Sequence, residues 1–181
     1  MKHITSAFII ASFVALSGCG QEEAATASTN NAASETQQTA ALPGDFFLNE
    51  EPANTVSLSE ARASAQTGDD ITFTGYIGGR AEPFTKSRAI FLVADSEKAP
   101  PCTDGCPAPW DACCTPNEVI TENSATVQVL DAEGQTLRMG LNGQNGLAPG
   151  SQVTVVGKVR QANDAVLIVD ASGIKVDDNR P

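Results

Sequence analysis

The residues of this sequence best suited to chemistry are four cysteines in one short stretch. Cys102, Cys106, Cys113 and Cys114 fall within thirteen residues, and five prolines lie among or beside them. Because proline fixes φ and has no amide hydrogen, the stretch predicts an irregular segment, which we call the cysteine loop. Thiols this close together form disulfides, bind a soft metal ion or cycle between thiol and disulfide.

Structural disulfides are the first interpretation of the cysteine loop. An even number of cysteines in an exported domain is typical of disulfide bridges, and four cysteines allow three pairings. A bridge between the neighbours Cys113 and Cys114 would be strained, so the sequence favours their pairing across the loop with Cys102 and Cys106. Each bridge would stabilise the domain by ~2–3 kcal/mol through the entropy of the unfolded chain.

A metal site and a redox-active pair are the two alternatives. Four thiolates bind Zn²⁺ or Cu(I), and Asp104 and Asp111 lie nearby as carboxylates. The cysteines are not arranged as paired C-x-x-C motifs, however, and neighbouring cysteines fit poorly around one tetrahedral centre. We therefore expect no metal and no other cofactor, and we keep a periplasmic metal-binding or thiol-redox protein as the alternative function.

The cysteine loop also carries a sequence motif. Residues Asp104 to Cys114 read Asp-Gly-Cys-Pro-Ala-Pro-Trp-Asp-Ala-Cys-Cys. This motif resembles that of a group of secreted or lipid-anchored bacterial proteins without an assigned activity, so the resemblance implies a fold context and no chemistry. Trp110 is the only tryptophan of the chain. We expect it to pack the loop on the domain, and a platform on which a ligand stacks is the alternative.

The fifth cysteine, Cys19, follows an apolar stretch near the N-terminus. Ala7 to Leu16 is apolar except for Ser12, and at ~1.5 Å per residue such a helix spans about half a bilayer core. It therefore indicates a signal peptide. Leu16-Ser17-Gly18-Cys19 resembles the lipobox of bacterial lipoproteins, which implies cleavage after residue 18 and lipid on Cys19, including an acyl chain such as palmitate. Several chains make a lasting anchor.

The lipobox divides the chain into three parts. Residues 1–18 are the predicted signal peptide and residues 19–42 a lipidated tether, which we expect to be disordered because it is rich in Ala, Ser, Thr and Gln and poor in large apolar residues. Residues 43–181 form the predicted domain. Gly20, in place of an aspartate, implies a protein anchored in the outer membrane and facing the periplasm. The membrane is thus a partner through the N-terminal lipid.

The pattern of residues 43–181 predicts a mainly β domain preceded by a short helix. Ser57 and Glu60 have capping-box spacing, and Gly68 is expected to end the helix. Alternating or continuous apolar runs then predict five short strands separated by turn residues. The cysteine loop falls between the second and third of them. The predicted strands are residues 71–77, 89–95, 126–131, 152–160 and 166–176.

Two glycines within these strands suggest a closed barrel. Gly75 and Gly157 each lie in an apolar-x-Gly-x-apolar pattern, and glycine inside a strand marks a tight bend or a close backbone approach. The whole run resembles an oligonucleotide/oligosaccharide-binding (OB) fold, with Gly75-x-Ile77 on the first strand and Gly157-Lys158-Val159 on the fourth. It departs from that fold between the third and fourth strands, where residues 137–149 predict a glycine-rich loop in place of a helix.

Composition excludes several functions. His3, the only histidine, lies in the signal peptide, so histidine-dependent nucleophiles and general bases are absent from the mature chain. We expect no enzymatic activity. Without Lys2, ten Lys and Arg remain against 22 Asp and Glu, a net charge of −12. Such a surface repels phosphate backbones, which argues against nucleic acid as a partner.

The sequence therefore predicts a binding domain for an envelope protein, a glycan or a small ligand. Its candidate surface includes Phe84, in the loop between the first two strands, where OB domains often bind ligands. The other candidates are Arg80, Lys86, Arg88 and Trp110. Further candidates for a basic patch are Arg138, Lys158 and Arg160, for which pairing with the many surface acids is the simpler explanation. The sequence leaves the oligomeric state open.

Overall fold

The computed structural model describes residues 42–102 and 104–177, which form the barrel, its N-terminal helix and the cysteine loop. The predicted signal peptide, with its lipobox, and all of the predicted tether but Leu42 lie outside these residues. No helix in the described part of the chain is long and apolar enough to cross a membrane. The elements are β1 Val56–Ser57, α1 Leu58–Ser64, β2 Asp70–Ile77, β3 Ile90–Ala94, α2 Asn117–Glu122, β4 Ser124–Gln128, β5 Gln152–Ala162 and β6 Leu167–Val176.

Five strands close into a barrel in the order β2-β3-β4-β6-β5. The barrel closes because β5 pairs with β2 in antiparallel register, with Phe73 opposite Val155. β4 and β6 are parallel, whereas the other neighbouring strands of the barrel are antiparallel. This order and these directions are those of an OB-like barrel, which confirms the predicted fold class. The two-residue β1, which the sequence did not predict, runs parallel to β2.

The core lies inside the barrel and under its N-terminal helix. Along β4 and its extension, Ala125, Val127 and Val129 are buried while the residues between them are partly exposed, as the period of two requires. Phe46 from the N-terminal arm and Leu58 from α1 join the same cluster. The arm and the helix are therefore part of the folded domain and not appendages of the barrel.

The two strand glycines lie where the backbone leaves no room for a side chain. A Cβ atom at Gly75 would stand 2.7 Å from the carbonyl oxygen of Ala94, and one at Gly157 would stand 2.4 Å from that of Asp170. Gly157 also borders a register shift between β5 and β6. Both predicted close approaches are thus confirmed.

Helix α1 has the predicted start but an earlier end. The Ser57 hydroxyl accepts a hydrogen bond from the Glu60 amide, and the Glu60 carboxylate accepts one from the Ser57 amide. The helix ends at Ser64 because Ala65 turns into extended backbone. Gly68, predicted as the stop, has a φ of +98° in the following turn, where its amide donates to Val159. The stop was therefore placed four residues too late.

A second helix, α2, follows the cysteine loop and was not predicted. Pro116 occupies the position before its first residue, and Glu118 lies in its first turn. Both are ordinary signals of a helix start, since proline costs nothing there and an acidic side chain favours the N-terminal dipole. Between β4 and β5 the structure has a 3-10 turn at Gln144–Gly146, in agreement with the predicted loop.

Candidate functional site

The predicted ligand-binding loop between β2 and β3 folds back over the end of β3. The Thr85 amide donates to the carbonyl of Ile90, and the Leu92 amide donates to that of Pro83. Phe84 and Phe91 form an isolated antiparallel β-bridge, and their ring centroids lie 5.7 Å apart. The Phe84 ring is half-buried against the main core. The loop is therefore a preformed wall with one aromatic side chain fixed in it.

The segment between β4 and β5 supplies the opposite wall. Gly140 packs against the backbone of Lys86 so closely that a Cβ atom on it would stand 2.7 Å from the Lys86 carbonyl oxygen. The two walls enclose a cleft of about 410 Å³. Its lining mixes apolar and polar residues, and consists of Ala81, Glu82, Pro83, Phe84, Thr85, Lys86, Gly140, Asn142 and Pro149.

The structure brings only some of the predicted site residues to this cleft, which we call the rim cleft. Phe84 and Lys86 line it, whereas Arg80, Arg88 and Trp110 do not. Arg80 is exposed and donates a hydrogen bond of 2.7 Å to the Asn117 side chain at the start of α2. The lining residues after β4 were not predicted, because their neighbours in space are more than 50 residues away along the chain.

The cations of the domain fall into two groups. Lys158 forms an ion pair with Asp70 at 2.8 Å and Arg160 with Asp170 at 2.9 Å. These two cations therefore pair with surface acids, as expected from the sequence. In the described part of the chain, by contrast, no carboxylate forms an ion pair with Arg80, Lys86, Arg88 or Arg138. Of these four cations, Lys86 lines the rim cleft and the other three lie on the segments that form its walls. Lys98 and Arg62, which also form no ion pair among the described residues, do not line it.

Two of these cations lie on the segments that form the walls of the rim cleft. The Ala89 amide donates to the carbonyl of Leu137 at 2.9 Å, and Lys86 lies against Gly140. Arg88 and Arg138 are the sequence neighbours of the two hydrogen-bonded residues, and both arginines are exposed. The two segments therefore each carry an exposed arginine beside the point where they meet.

The cysteine loop contains two disulfides, so all four of its cysteines are paired as the first interpretation expected. Cys102 is bonded to Cys114 and Cys106 to Cys113. The bridges cross the loop and are nested, one inside the other. Cys102, Cys113 and Cys114 also form a group with metal-ligand spacing, but all three sulfurs are engaged in disulfides. The oxidised loop therefore offers no thiolate to a metal ion.

Trp110 and Tyr76 attach the cysteine loop to the barrel. The Trp110 carbonyl accepts from the Gly79 amide at 2.9 Å, and its indole N–H donates to the Ala81 carbonyl at 2.9 Å. The Tyr76 hydroxyl donates to the Ala99 carbonyl at 2.7 Å, and burial raises the pKa of Tyr76 to about 12. Trp110 thus has the packing role expected of it, and through Ala81 it holds one edge of the rim cleft.

A second groove, beside α1, has a structural explanation. It is lined by Arg62, whose guanidinium donates to the carbonyls of Ser124 at 3.0 Å and Asp164 at 3.1 Å. These bonds join α1 to the start of β4 and to the β5–β6 turn. Because its donors are occupied by backbone carbonyls, Arg62 serves the fold, and this groove is a weaker candidate than the rim cleft.

Comparisons with known proteins add little to this description. No protein-family model matches the chain, and no curated protein matches it. One similar solved structure is that of the hypothetical protein ygiW from E. coli, with 15% sequence identity and a TM-score of 0.35. The match covers 75% of this chain and 100% of that one. The assignment of the barrel rests on its own strand order and pairing.

Proposed function

We propose that the protein is a lipid-anchored binding domain of the cell envelope without enzymatic activity. It binds a partner protein, a glycan or a small ligand on the barrel face, and the rim cleft is the place where it does so. The observation that carries this proposal is the cleft between two fixed walls, lined by Phe84 and Lys86 and bordered by cations without acidic partners. OB barrels bind ligands with the equivalent loop between their first two strands.

The charges favour a ligand with an anionic group. In a chain with a net charge of −11, Lys158 and Arg160 have acidic partners while Lys86, Arg88 and Arg138 have none among the described residues. Guanidinium groups bind carboxylates through paired hydrogen bonds, so the exposed Arg88 and Arg138 favour a ligand that carries a carboxylate. Phe84 offers an apolar face beside them. This combination suits an acidic sugar better than a neutral one.

The proposed anchor is consistent with such a role. A tether of the length of residues 19–42 has a root-mean-square span of ~25–30 Å, so a domain attached through Cys19 would reach ligands clear of the lipid headgroups. With all four loop cysteines in disulfides, binding by the barrel accounts for more of the structure than metal binding by the loop.

Titration with a matched pair of sugars tests the proposal. A short oligomer of hexuronic acids and a neutral hexose oligomer of equal length are titrated into the protein by calorimetry. We expect the charged oligomer alone to bind, and the triple variant K86Q/R88Q/R138Q to weaken its binding about tenfold or more, since several charge-assisted contacts are lost. The control is K158Q, which removes a cation paired elsewhere.

Two results would count against this assignment. Equal binding of the charged oligomer to the wild type and the triple variant would place the ligand away from the rim cleft. Binding of neither oligomer at millimolar concentration would exclude an acidic glycan and leave a partner protein or small ligand for the same cleft.

A further inference from the structure

The sulfur atoms of the two disulfides form one cluster. Cys113 belongs to one bridge and Cys114 to the other, yet their Sγ atoms lie only 3.9 Å apart. The Sγ atoms of Cys102, Cys113 and Cys114 all lie within 4.8 Å of one another. A thiolate released at Cys113 would therefore stand beside the other bridge at contact distance.

The two bridges hold different parts of the loop. We call Cys102–Cys114 the base bridge and Cys106–Cys113 the tip bridge. At the base, Cys102 is only 6% exposed and its amide donates to the Asp111 carbonyl at 2.9 Å. Ala99 and Ala112 are fully buried in the cluster that contains Tyr76. These contacts fix the base of the loop without help from the tip bridge.

The tip of the loop has no comparable attachment. Among the described residues, none of those from 104 to 107 makes a hydrogen bond, and the Ala108 carbonyl accepts only from the Asp111 amide inside the loop. Asp104 and Gly105 are exposed. Opening the tip bridge would thus free the tip while the base stays docked and keeps Cys113 next to the base bridge.

We propose that the cysteine loop is a thiol–disulfide exchange site whose reductant is a dithiol, either a small molecule or a protein with a reactive cysteine pair. The dithiol gives two electrons to the tip bridge, which becomes two thiols at Cys106 and Cys113 while the dithiol becomes a disulfide. The Cys113 thiolate then attacks the Cys102 sulfur. A Cys102–Cys113 bond forms, the Cys102–Cys114 bond breaks, and Cys114 leaves as a thiolate that takes up a proton.

Burial and chain geometry direct the second step. Cys102 is buried, so an external thiol reaches its sulfur poorly, whereas the Cys113 sulfur lies within 4.8 Å of it. The Cys114 residue of the same bridge is exposed, but attack on its sulfur by Cys113 would give a strained bridge between adjacent residues. A thiolate held within 4.8 Å of the Cys102 sulfur also reacts faster than one that must diffuse to the site. This activity is independent of the rim cleft and goes beyond the proposed binding function.

Mapping of free thiols after limited reduction tests the proposal. The full chain carrying C19S, which removes the fifth thiol, is treated with one equivalent of dithiothreitol, quenched with acid and alkylated, and the peptides are analysed by mass spectrometry. We expect labels on Cys106 and Cys114 together with a Cys102–Cys113 linkage. Labels on Cys106 and Cys113 with the base bridge intact would overturn the exchange step, and so would complete reduction of half the molecules.

A variant without the tip bridge provides the matched control. The tip bridge holds no part of the docked base, so C106S/C113S in the same C19S chain is expected to fold, which the fluorescence of Trp110 reports. Without Cys113 the base bridge should be reduced at least about tenfold more slowly, because the thiolate that attacks it from within the loop is absent. Reduction of the base bridge at the rate seen with Cys113 present would contradict the proposed route.

Discussion

At the scale of single residues, Asp95 shows how one buried carboxylate ties the domain together. It is 2% exposed, and its carboxylate accepts hydrogen bonds of 2.9 Å from the amides of Ser59, Glu97 and Lys98. Burial by itself would raise the pKa of Asp95, but the three amide donors and the Ser59 hydroxyl lower it below its ordinary value. The carboxylate thus joins α1 to the end of β3 and the start of the cysteine loop.

We predict that D95N destabilises the domain by ~2 kcal/mol, because an amide cannot accept from all three donors. The difference in the free energy of unfolding between the wild type and D95N should decrease at low pH. Since the folded pKa lies below the unfolded one, the stabilisation is complete above the unfolded value and is lost as the pH falls through the folded value. Urea unfolding of both proteins at pH 7 and below pH 3.8 measures it. A difference that is equal at both pH values would contradict this role of the ionised carboxylate.

The role of Asp95 could not be predicted from the sequence, whereas the pairing of the cysteines could be predicted in part. The Ser59 amide is 36 residues away from Asp95, and nothing local marks them as partners. The strain between adjacent cysteines, by contrast, is a local property and excluded one of the three pairings. It left two pairings open, one interleaved and one nested, and the structure has the nested one.

At the scale of elements, the barrel closes at two glycine corners. Gly157 lies on β5 opposite Ala171 of β6, with the Asp170 carbonyl next to its Cα atom. A methyl group there would have to displace backbone, because the carbonyl belongs to the neighbouring strand and cannot rotate away. The corner is therefore a steric requirement of the closed barrel.

We predict that G157A lowers the free energy of unfolding by ~1–3 kcal/mol through overpacking. The matched control is G44A, at a position with nothing within 4 Å of the added methyl group and no positive φ. It should leave stability unchanged or slightly raised. Chemical denaturation of the three proteins provides the comparison. Equal stability of G157A and G44A would show that β5 and β6 can separate at this point without cost.

The strands could be predicted because each is marked by a pattern of neighbouring residues. The cleft could not be predicted, because its lining comes from segments that are distant in the sequence. Alternating apolar residues place β2, β5 and β6, and a continuous apolar run places β3, within about two residues of their observed bounds. The two-residue β1 and the six-residue α2 are too short for periodicity to register. Phe84 was placed by the fold resemblance. Gly140 and Asn142, which face it, depend on pairing between distant segments and could not have been placed from local pattern.

At the scale of the whole molecule, the chain combines an acidic surface with an expected lipid anchor. The predicted anchor is Cys19, and the chain without its signal peptide has a net charge of −12, which repels anionic lipid headgroups. Attachment to the membrane would then depend on the lipid alone, with no contribution from the surface of the domain.

We predict that C19S moves the protein from the membrane fraction to the soluble fraction of cells that process lipoproteins. The wild type should incorporate a labelled palmitate analogue and the variant should not, because the acyl chains are attached at this cysteine. Cell fractionation and palmitate labelling are measured on the same samples of the wild type and the variant. Retention of C19S in the membrane fraction in amounts equal to the wild type would contradict the lipid anchor.

Binding of the ligand in the rim cleft is observed most directly at the cleft itself. Amide resonances of ¹⁵N-labelled protein are followed by NMR while the hexuronic acid oligomer is added. We predict saturable chemical-shift changes that cluster in residues 81–88 and 138–149, while the amide resonances of the Arg62 groove stay unchanged. Shifts centred on any other face of the barrel, or on the cysteine loop alone, would contradict it.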